Sequence, residues 1–456
     1  MIAFTVLWAI LLGASVSESA PLQSSPPACR DWRECQQQAL EAASRKEYEA
    51  FHDLSWRAVQ LGPRQDPSLL FMLARAQCLS GRPHDALVML RRIALSGVAA
   101  EAITNEDFKR TRDLPEWPEV QALIEGVPAT PAPPFAPARQ TRSTAANAPS
   151  AAPPVETANA LPHETKLTPP AAGKLPATVD QPIRVASGRF AAGGLAYDVV
   201  SHRFVVGDQL GRKLVIVGEG ADHAVDLVRA DSAGFQDIKA VEIDGRRGDL
   251  WVASAAGGDW TIHRMQLVSG RPLKAIRAST NGEPMNLVDL GVTPAGDVIA
   301  VDAAAGRLLT LRPGAATLEV SVRLPAPGAT SIAATGDEDI AYVAHAAGIS
   351  RVDRHAKTVV DVAAGKGVQF GRIERIRWHR NALIAVQVGD DGGRRVVRFD
   401  LNRSGRTVTA MTPLDTAIPV AGGPTFATIA SDELCYLVAE GEGSGGVLSI
   451  RRMKLP

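Results

Sequence analysis

The sequence predicts a multidomain α plus all-β protein: N-terminal helical hairpins, a disordered Pro/Ala-rich linker and a C-terminal six-bladed β-propeller. Three observations predict it. Apolar residues recur at helical spacing up to about residue 126. A stretch of Pro, Ala and small polar residues follows, with no period. Beyond it one phrase recurs six times, in which apolar strands alternate with Gly-containing turns. The divisions expected are a leader at 1–20, a helical domain at 28–126, the linker at 127–182 and the propeller at 183–456.

The totals agree with more than one folded unit, since 456 residues exceed one ordinary core. Lys+Arg and Asp+Glu balance at 49 each, so no large positive field is present to hold nucleic acid. Aromatics are scarce at 5%, which also argues against base-stacking platforms. The 40 Gly and 31 Pro are divided between the linker and the turns of short strands.

Residues 2–16, IAFTVLWAILLGASV, form an apolar run too short for a bilayer span and followed by the small residues SVSESA. A cleaved export signal and a retained anchor are both open, and no later stretch is long enough to span a membrane. The four cysteines fit an oxidising compartment, periplasmic or secreted. Cys29 and Cys35 are close enough for a local disulfide, with two free thiols as the other reading. Cys78 and Cys435 fall on apolar helix and strand faces, as buried thiols do.

In the helical segment Trp32, Leu40 and Ala43 mark one stripe, and Phe51, Leu54 and Ala58 a second. Leu69, Leu73 and Ala76 mark a third, and Ala86, Leu90 and Ile93 a fourth. LGPRQDP and SGRPH punctuate the last three, with Pro67 and Pro83 at helix starts and Gly81 at a helix end. Paired helices with a period of about 34 residues, and small residues at Ala39, Ala58, Ala74 and Ala86, resemble the tetratricopeptide repeat. The resemblance implies a concave peptide-binding groove, and a spacing module without a ligand is the other reading. Two units are fewer than a free-standing stack needs, so the closing stretch with Trp117 and Leu123 is expected to supply much of the missing burial. The linker lacks bulky apolar residues, cannot offset its ordering entropy, and is expected to hold the two domains apart.

The six copies begin about 40 to 50 residues apart, the period of a four-stranded blade. They start at GLAYD, AVEID, LGVTP, IAATG, IRWHR and TIASD. AVDLVRA, PLKAIRA, LEVSVRL, TVVDVAA and TVTAMTP supply outer strands. The last copy ends at SIRRMKLP without one, so IRVAS at 183–187 is expected to fill that edge and close the ring. The phrase LAYD…RFVVGDQLGRKLVIV resembles the NHL-repeat and gluconolactonase/regucalcin group of six-bladed propellers. That resemblance implies a divalent-metal site with a Glu from a Glu-Gly-Pro loop plus Asn and Asp. GGPTF at 422–426 and FAAGG at 190–194 lack this Glu; GEP at 282–284 carries Glu283 in another order, followed by Asn286 and Asp302.

In such a ring, the ends of the second strands and the loops between blades crowd one face. Ligand-binding candidates there are Asp208, Asp237, Lys239, Glu283, Asn286, Asp302, His345, Glu374 and Glu440, with Ser254, Arg372 and Gln387 beside them. Carboxylates around one axis can hold a divalent cation through oxygen ligands, and the same residues serve equally as turn formers. No nucleophile-elbow Ser, phosphate loop or zinc-ligand spacing is present, and no catalytic residue is assigned. The expectation is therefore an exported, non-catalytic binding or scaffold protein without a cofactor, taking a protein, peptide or glycan partner. A metal-dependent hydrolase or lactonase is one alternative, and an envelope-anchored sensor or assembly factor another.

Overall fold

The computed structural model describes residues 29–98, 101–126, 182–188, 190–278, 283–325, 328–389, 392–418, 425–440 and 446–456. The leader expected at 1–20 and, except for residue 182, the linker expected at 127–182 lie outside the described residues.

Six α-helices precede the strands: α1 Trp32–Ser44, α2 Tyr48–Leu61, α3 Pro67–Leu79, α4 Pro83–Leu95, α5 Lys109–Arg112 and α6 Trp117–Glu125. Their starts are set locally. Asp31 accepts from Arg33 N and Glu34 N at α1, and Asp66 accepts from Ser68 N and Leu69 N at α3, satisfying amides that have no helical partner. Pro67 and Pro83 open α3 and α4, where a missing N–H costs nothing. Gly81 follows α3 with φ +86°, a conformation that L side chains resist. Helix α1 packs on α2, α2 on α3, α3 on α4 and α4 on α6.

The stripes of α2, α3 and α4 are buried as expected, but that of α1 is rotated. Cys35, Ala39 and Ala42 face inward, while Leu40 is 37% exposed. The disulfide joining Cys29 to Cys35 lies in the same apolar cluster, against which Trp32 and Ala43 are partly buried. Cys78 and Cys435 are buried free thiols.

The strands form six sheets, and each is a blade with its inner strand on the ring axis. Blade I runs outward through Ala192–Asp198, Arg203–Asp208, Lys213–Gly218 and Val225–Val228. Blade II comprises Asp237–Asp244, Asp249–Ala256, Asp259–Gln266 and Pro272–Ala278. Blade III comprises Leu287–Val292, Val298–Asp302, Arg307–Leu311 and Glu319–Arg323. Blade IV comprises Ser331–Ala334, Ile340–His345, Gly348–Asp353 and Thr358–Asp361. Blade V comprises Arg372–His379, Ala382–Val388, Arg394–Leu401 and Thr407–Ile418. Blade VI comprises Ala427–Ala430, Glu433–Glu440 and Gly446–Lys454, with Ile183–Gly188 outermost.

Inner strands of successive blades touch all the way round, including blade VI against blade I. The closing edge is the one the sequence predicts: Ile183 pairs with Ile450 and Val185 with Leu448, antiparallel. Burial explains why the second strands read as continuous apolar runs. Asp249–Ala255 and Ala382–Val388 are buried at every residue, because a blade packs on each side of them. One outer-strand assignment needs correction. The strand starting at Thr358 ends at Asp361, and Ala363–Ala364 crosses over to pair in parallel with Thr407–Val408 of blade V.

Two faces result. Loops between blades and the turns joining second to third strands lie on one, the entry face. Turns joining inner to second strands, and third to outer strands, lie on the other, the docking face. Helices α2 to α4 sit on the docking face of blades I and II. Trp56 is 1% exposed, donates Nε1 to Gly245 O at 2.9 Å and lies over Gly248. Gln60 donates to the same carbonyl, and Arg92 Nη1 reaches Val200 O at 3.0 Å. Ser269 N donates to Asp85 Oδ1 at 3.0 Å. Leu70, Leu73, Leu87 and Leu90 share one apolar cluster with Val200, Leu267 and Val268.

One expectation is thereby overturned and a second extended. The helical domain is not held apart from the propeller but packs directly on it. The burial that a short stack lacks comes from blades I and II as well as from α6, of which Trp117, Val120 and Ile124 are buried while Leu123 is only partly so. The physical reason is area: two helix pairs leave an apolar face uncovered, and covering it yields about 25 cal/mol per Å².

Candidate functional site

The candidate residues from the sequence sit at the entry-face ends of strands and loops, and many of their described side chains brace loops there. Asp302 is fully buried and ends the second strand of blade III. Its Oδ1 accepts from Asn286 N at 2.9 Å and Ala304 N at 3.1 Å, and its Oδ2 from Arg307 Nε at 2.8 Å. Arg307 also donates to Glu283 at 2.6 Å. Thus Glu283, Asn286 and Asp302 do come together, around a guanidinium.

The equivalent positions of other blades do the same work with different chemistry. Asp208 accepts from Gly211 N at 3.0 Å in blade I. Ser254 Oγ meets His263 Nε2 at 3.0 Å and accepts from Gln236 N at 3.3 Å in blade II. Gln387 accepts from Arg395 at 2.7 Å and donates to Gln369 O at 2.9 Å in blade V. Glu374 holds Arg394 through two bonds, at 3.0 and 3.1 Å, and accepts from Thr425 N at 3.3 Å. The Glu440 side chain lies outside the described residues.

Blade IV holds a Ser, a His and an Asp in contact. His345 Nε2 lies 2.8 Å from Ser350 Oγ, which donates to Asp361 Oδ1 at 2.8 Å. Ser350 is fully buried and its proton goes to the carboxylate, the reverse of the order a nucleophilic triad requires. Burial holds His345 below the usual imidazole range, against the nearby Asp361. The same cause lowers His263 to about 4, so it is neutral at physiological pH.

Among the described residues no three His, Cys, Asp or Glu side chains converge as metal ligands. The donors around Asp302 are amides and a guanidinium, which compete with a cation for its lone pairs. What the entry face offers to a partner is a charged surface. Asp237 is 42% exposed, with Arg212 at 3.5 Å and Lys239 at 4.0 Å, and Arg372 and Glu283 are also exposed.

Sequence reasoning missed a charge cluster inside the channel. Asp289 of the blade III inner strand is held by Arg377 of blade V at 2.9 and 3.3 Å, and accepts from Ser331 Oγ at 2.6 Å. Arg375 lies 3.6 Å from the same carboxylate. Burial alone would raise Asp289, but the two guanidiniums hold it below the usual carboxylate range. Glu242 of the blade II inner strand is pushed by burial up to about 7, with Arg377 opposing the rise. The available signal was a charge inside an apolar strand, as in AVEID, LVDLG and RIERIRW.

A separate groove of about 410 Å³ separates blades III and IV on the docking side, lined by Arg312, Glu319, Asp339, Arg354, His355 and Lys357. No helix among the described residues is long and apolar enough to cross a membrane.

No family model matches the chain, and no curated protein matches it. Solved structures similar to it include the PQQ-bound aldose sugar dehydrogenase of Streptomyces coelicolor, at 13% identity over 60% of this chain and 97% of that one, TM-score 0.42. Virginiamycin B lyase of Staphylococcus aureus aligns at 10% identity over 59% of this chain and 99% of its own, TM-score 0.41. A chain of a nidogen/laminin complex aligns at 11% over 50% and 81%, TM-score 0.39.

Proposed function

We propose that this chain is an exported, non-catalytic binding or scaffold protein whose partner is a protein, peptide or glycan docking on the entry face. The observation that carries the reading is the fate of the chemical candidates. Asp208, Ser254, Asp302, His345, Glu374 and Gln387 hold one another's loops in place. The remaining charges, exposed Arg212, Glu283 and Arg372 with half-buried Asp237 and Lys239, form a mixed-sign surface on a rigid ring, suited to steering and register. Export is supported by the apolar run at 2–16 and the Cys29–Cys35 disulfide. The helix pairs support a tetratricopeptide-like origin, and the repeated blade phrase supports kinship with NHL-type propellers.

Charge reversal on the entry face tests the reading. Lys239→Glu with Arg372→Glu is expected to abolish binding in a peptide and glycan array without changing the melting temperature. Metal-dependent lactone hydrolysis is the rival. Calcium, zinc and manganese are expected to leave the melting temperature within about 1 °C, since an ion that binds the folded form alone must raise it. Metal-dependent turnover of a lactone, lost in Glu283→Ala, replaces the binding reading with the hydrolase. N-terminal sequencing of the mature chain separates a cleaved leader from a retained anchor.

A further inference from the structure

We infer that the central channel contains a second binding site, at its docking-face end, for a small organic carboxylate. This goes beyond the entry-face reading and uses none of its residues. The cavity has a volume of about 160 Å³, and its walls come from the inner strands of blades II to VI. Glu242, Arg377 and Thr428 supply the polar atoms, Trp378 an aromatic wall, and Leu290 and Ile332 part of an aliphatic one. Blades III and IV carry small residues at one level of this wall, where a Cβ on Gly291 would stand 3.4 Å from the Ala334 Cβ. Liquid water occupies about 30 Å³ per molecule, so the cavity suits a compact organic molecule better than a lone ion.

Charge selects the ligand class. Within the channel Arg375 and Arg377 face one fixed carboxylate, Asp289. In the docking-face turn that follows the blade II inner strand, Arg246 donates to Pro294 O at 3.4 Å; burial first, then Arg57 of α2 and Arg247, disfavour its charge, against Asp244 and Glu338. Arg377 thus brings a guanidinium to a partly apolar space, the arrangement that favours a carboxylate with a hydrophobic body. Glu242 is the one acid in the wall, and the charges that act on it are Arg377, Asp289 and Asp244. A bound anion favours its protonated form, so binding takes up a proton there. Affinity therefore rises as pH falls through the neutral range.

The test uses the full chain and benzoate, with benzamide as the uncharged counterpart, by calorimetric titration at pH 6 and pH 8. Benzoate is expected to bind one to one, at least tenfold tighter than benzamide, and about tenfold tighter at pH 6 than at pH 8. Ala334→Leu fills the cavity and is expected to abolish binding while circular dichroism stays unchanged. Glu242→Gln is expected to bind at pH 8 as wild type does at pH 6, which keeps the test decisive if the leucine variant fails to fold. No binding of benzoate to folded wild type, equal binding of benzamide, or unchanged pH dependence in Glu242→Gln overturns the inference. Lys239→Glu with Arg372→Glu should leave benzoate binding intact, so failure here is distinct from failure of the entry-face reading.

Discussion

The two faces of the propeller are built from the same kind of loop yet have opposite fates. On the entry face, buried polar groups find partners within the propeller, as Asp302 does with Asn286, Ala304 and Arg307. On the docking face of blades I and II, the loops turn apolar groups and open carbonyls outward. Leu267 and Val268 meet α3 and α4, and Gly245 O meets Trp56. The difference teaches that a propeller face becomes an interface when its turns leave hydrogen-bond capacity and apolar area unspent. A face whose turns are internally braced presents only its charges.

Breaking each face in turn sharpens that contrast. The largest effect is expected for Trp56→Ala, which removes an indole 1% exposed and its bond to Gly245. It should cost about 3–5 kcal/mol by urea denaturation. A loss below about 1 kcal/mol would mean that the helices rest on the propeller without depending on it. Asp302→Ala strands Arg307, which is 3% exposed, and should cost about 3 kcal/mol with no effect on helix docking measured by limited proteolysis.

Asp85 gives the joint a pH dependence. It is 2% exposed, and burial pushes its carboxyl up to about 6 from a reference of 3.8. A folded value above the unfolded one means that ionisation is disfavoured in the folded state. The contribution of this group to stability is then highest below about pH 4 and declines as pH rises to about 6. Asp85→Asn keeps an oxygen for Ser269 N and removes the decline, so it should be about 3 kcal/mol more stable than wild type at pH 7.5 and equal to it near pH 4. The opposite order at pH 7.5 would show that the carboxylate is stabilised by its partners after all. Smaller still is Gly248→Ala. At φ +67°, with an added Cβ 3.1 Å from the Trp56 ring, it should cost about 1–2 kcal/mol by the same denaturation. Glu283→Ala removes one of the two acids on buried Arg307 and should cost about 1 kcal/mol.

Much of the ring was legible in the sequence because each blade restates one phrase, and repetition averages out local ambiguity. Closure was legible from IRVAS, a strand-like stretch ahead of the first copy, which pairs with the last strand of blade VI. The site was less legible. Asp, Ser, His and Gln at the second-strand ends look alike as ligands and as braces, and only the positions of Asn286 N, Gln369 O and Gln236 N separate the two. Docking left a trace that the spacing argument passed over. Helix α3 is apolar nearly all round, with Leu69, Leu70, Met72, Leu73, Ala74 and Ala76 buried, and such a helix needs cover on more than one side. The rotated stripe of α1 was not readable from periodicity, because Leu40 and Ala39 fit a helical repeat equally well.

That the helices and the ring form one body is tested most directly by scanning calorimetry of the intact wild-type chain. Shared burial across the joint predicts a single cooperative transition, with calorimetric and van't Hoff enthalpies in agreement. Two separated transitions, each reproduced by its isolated half at the same temperature, would contradict it.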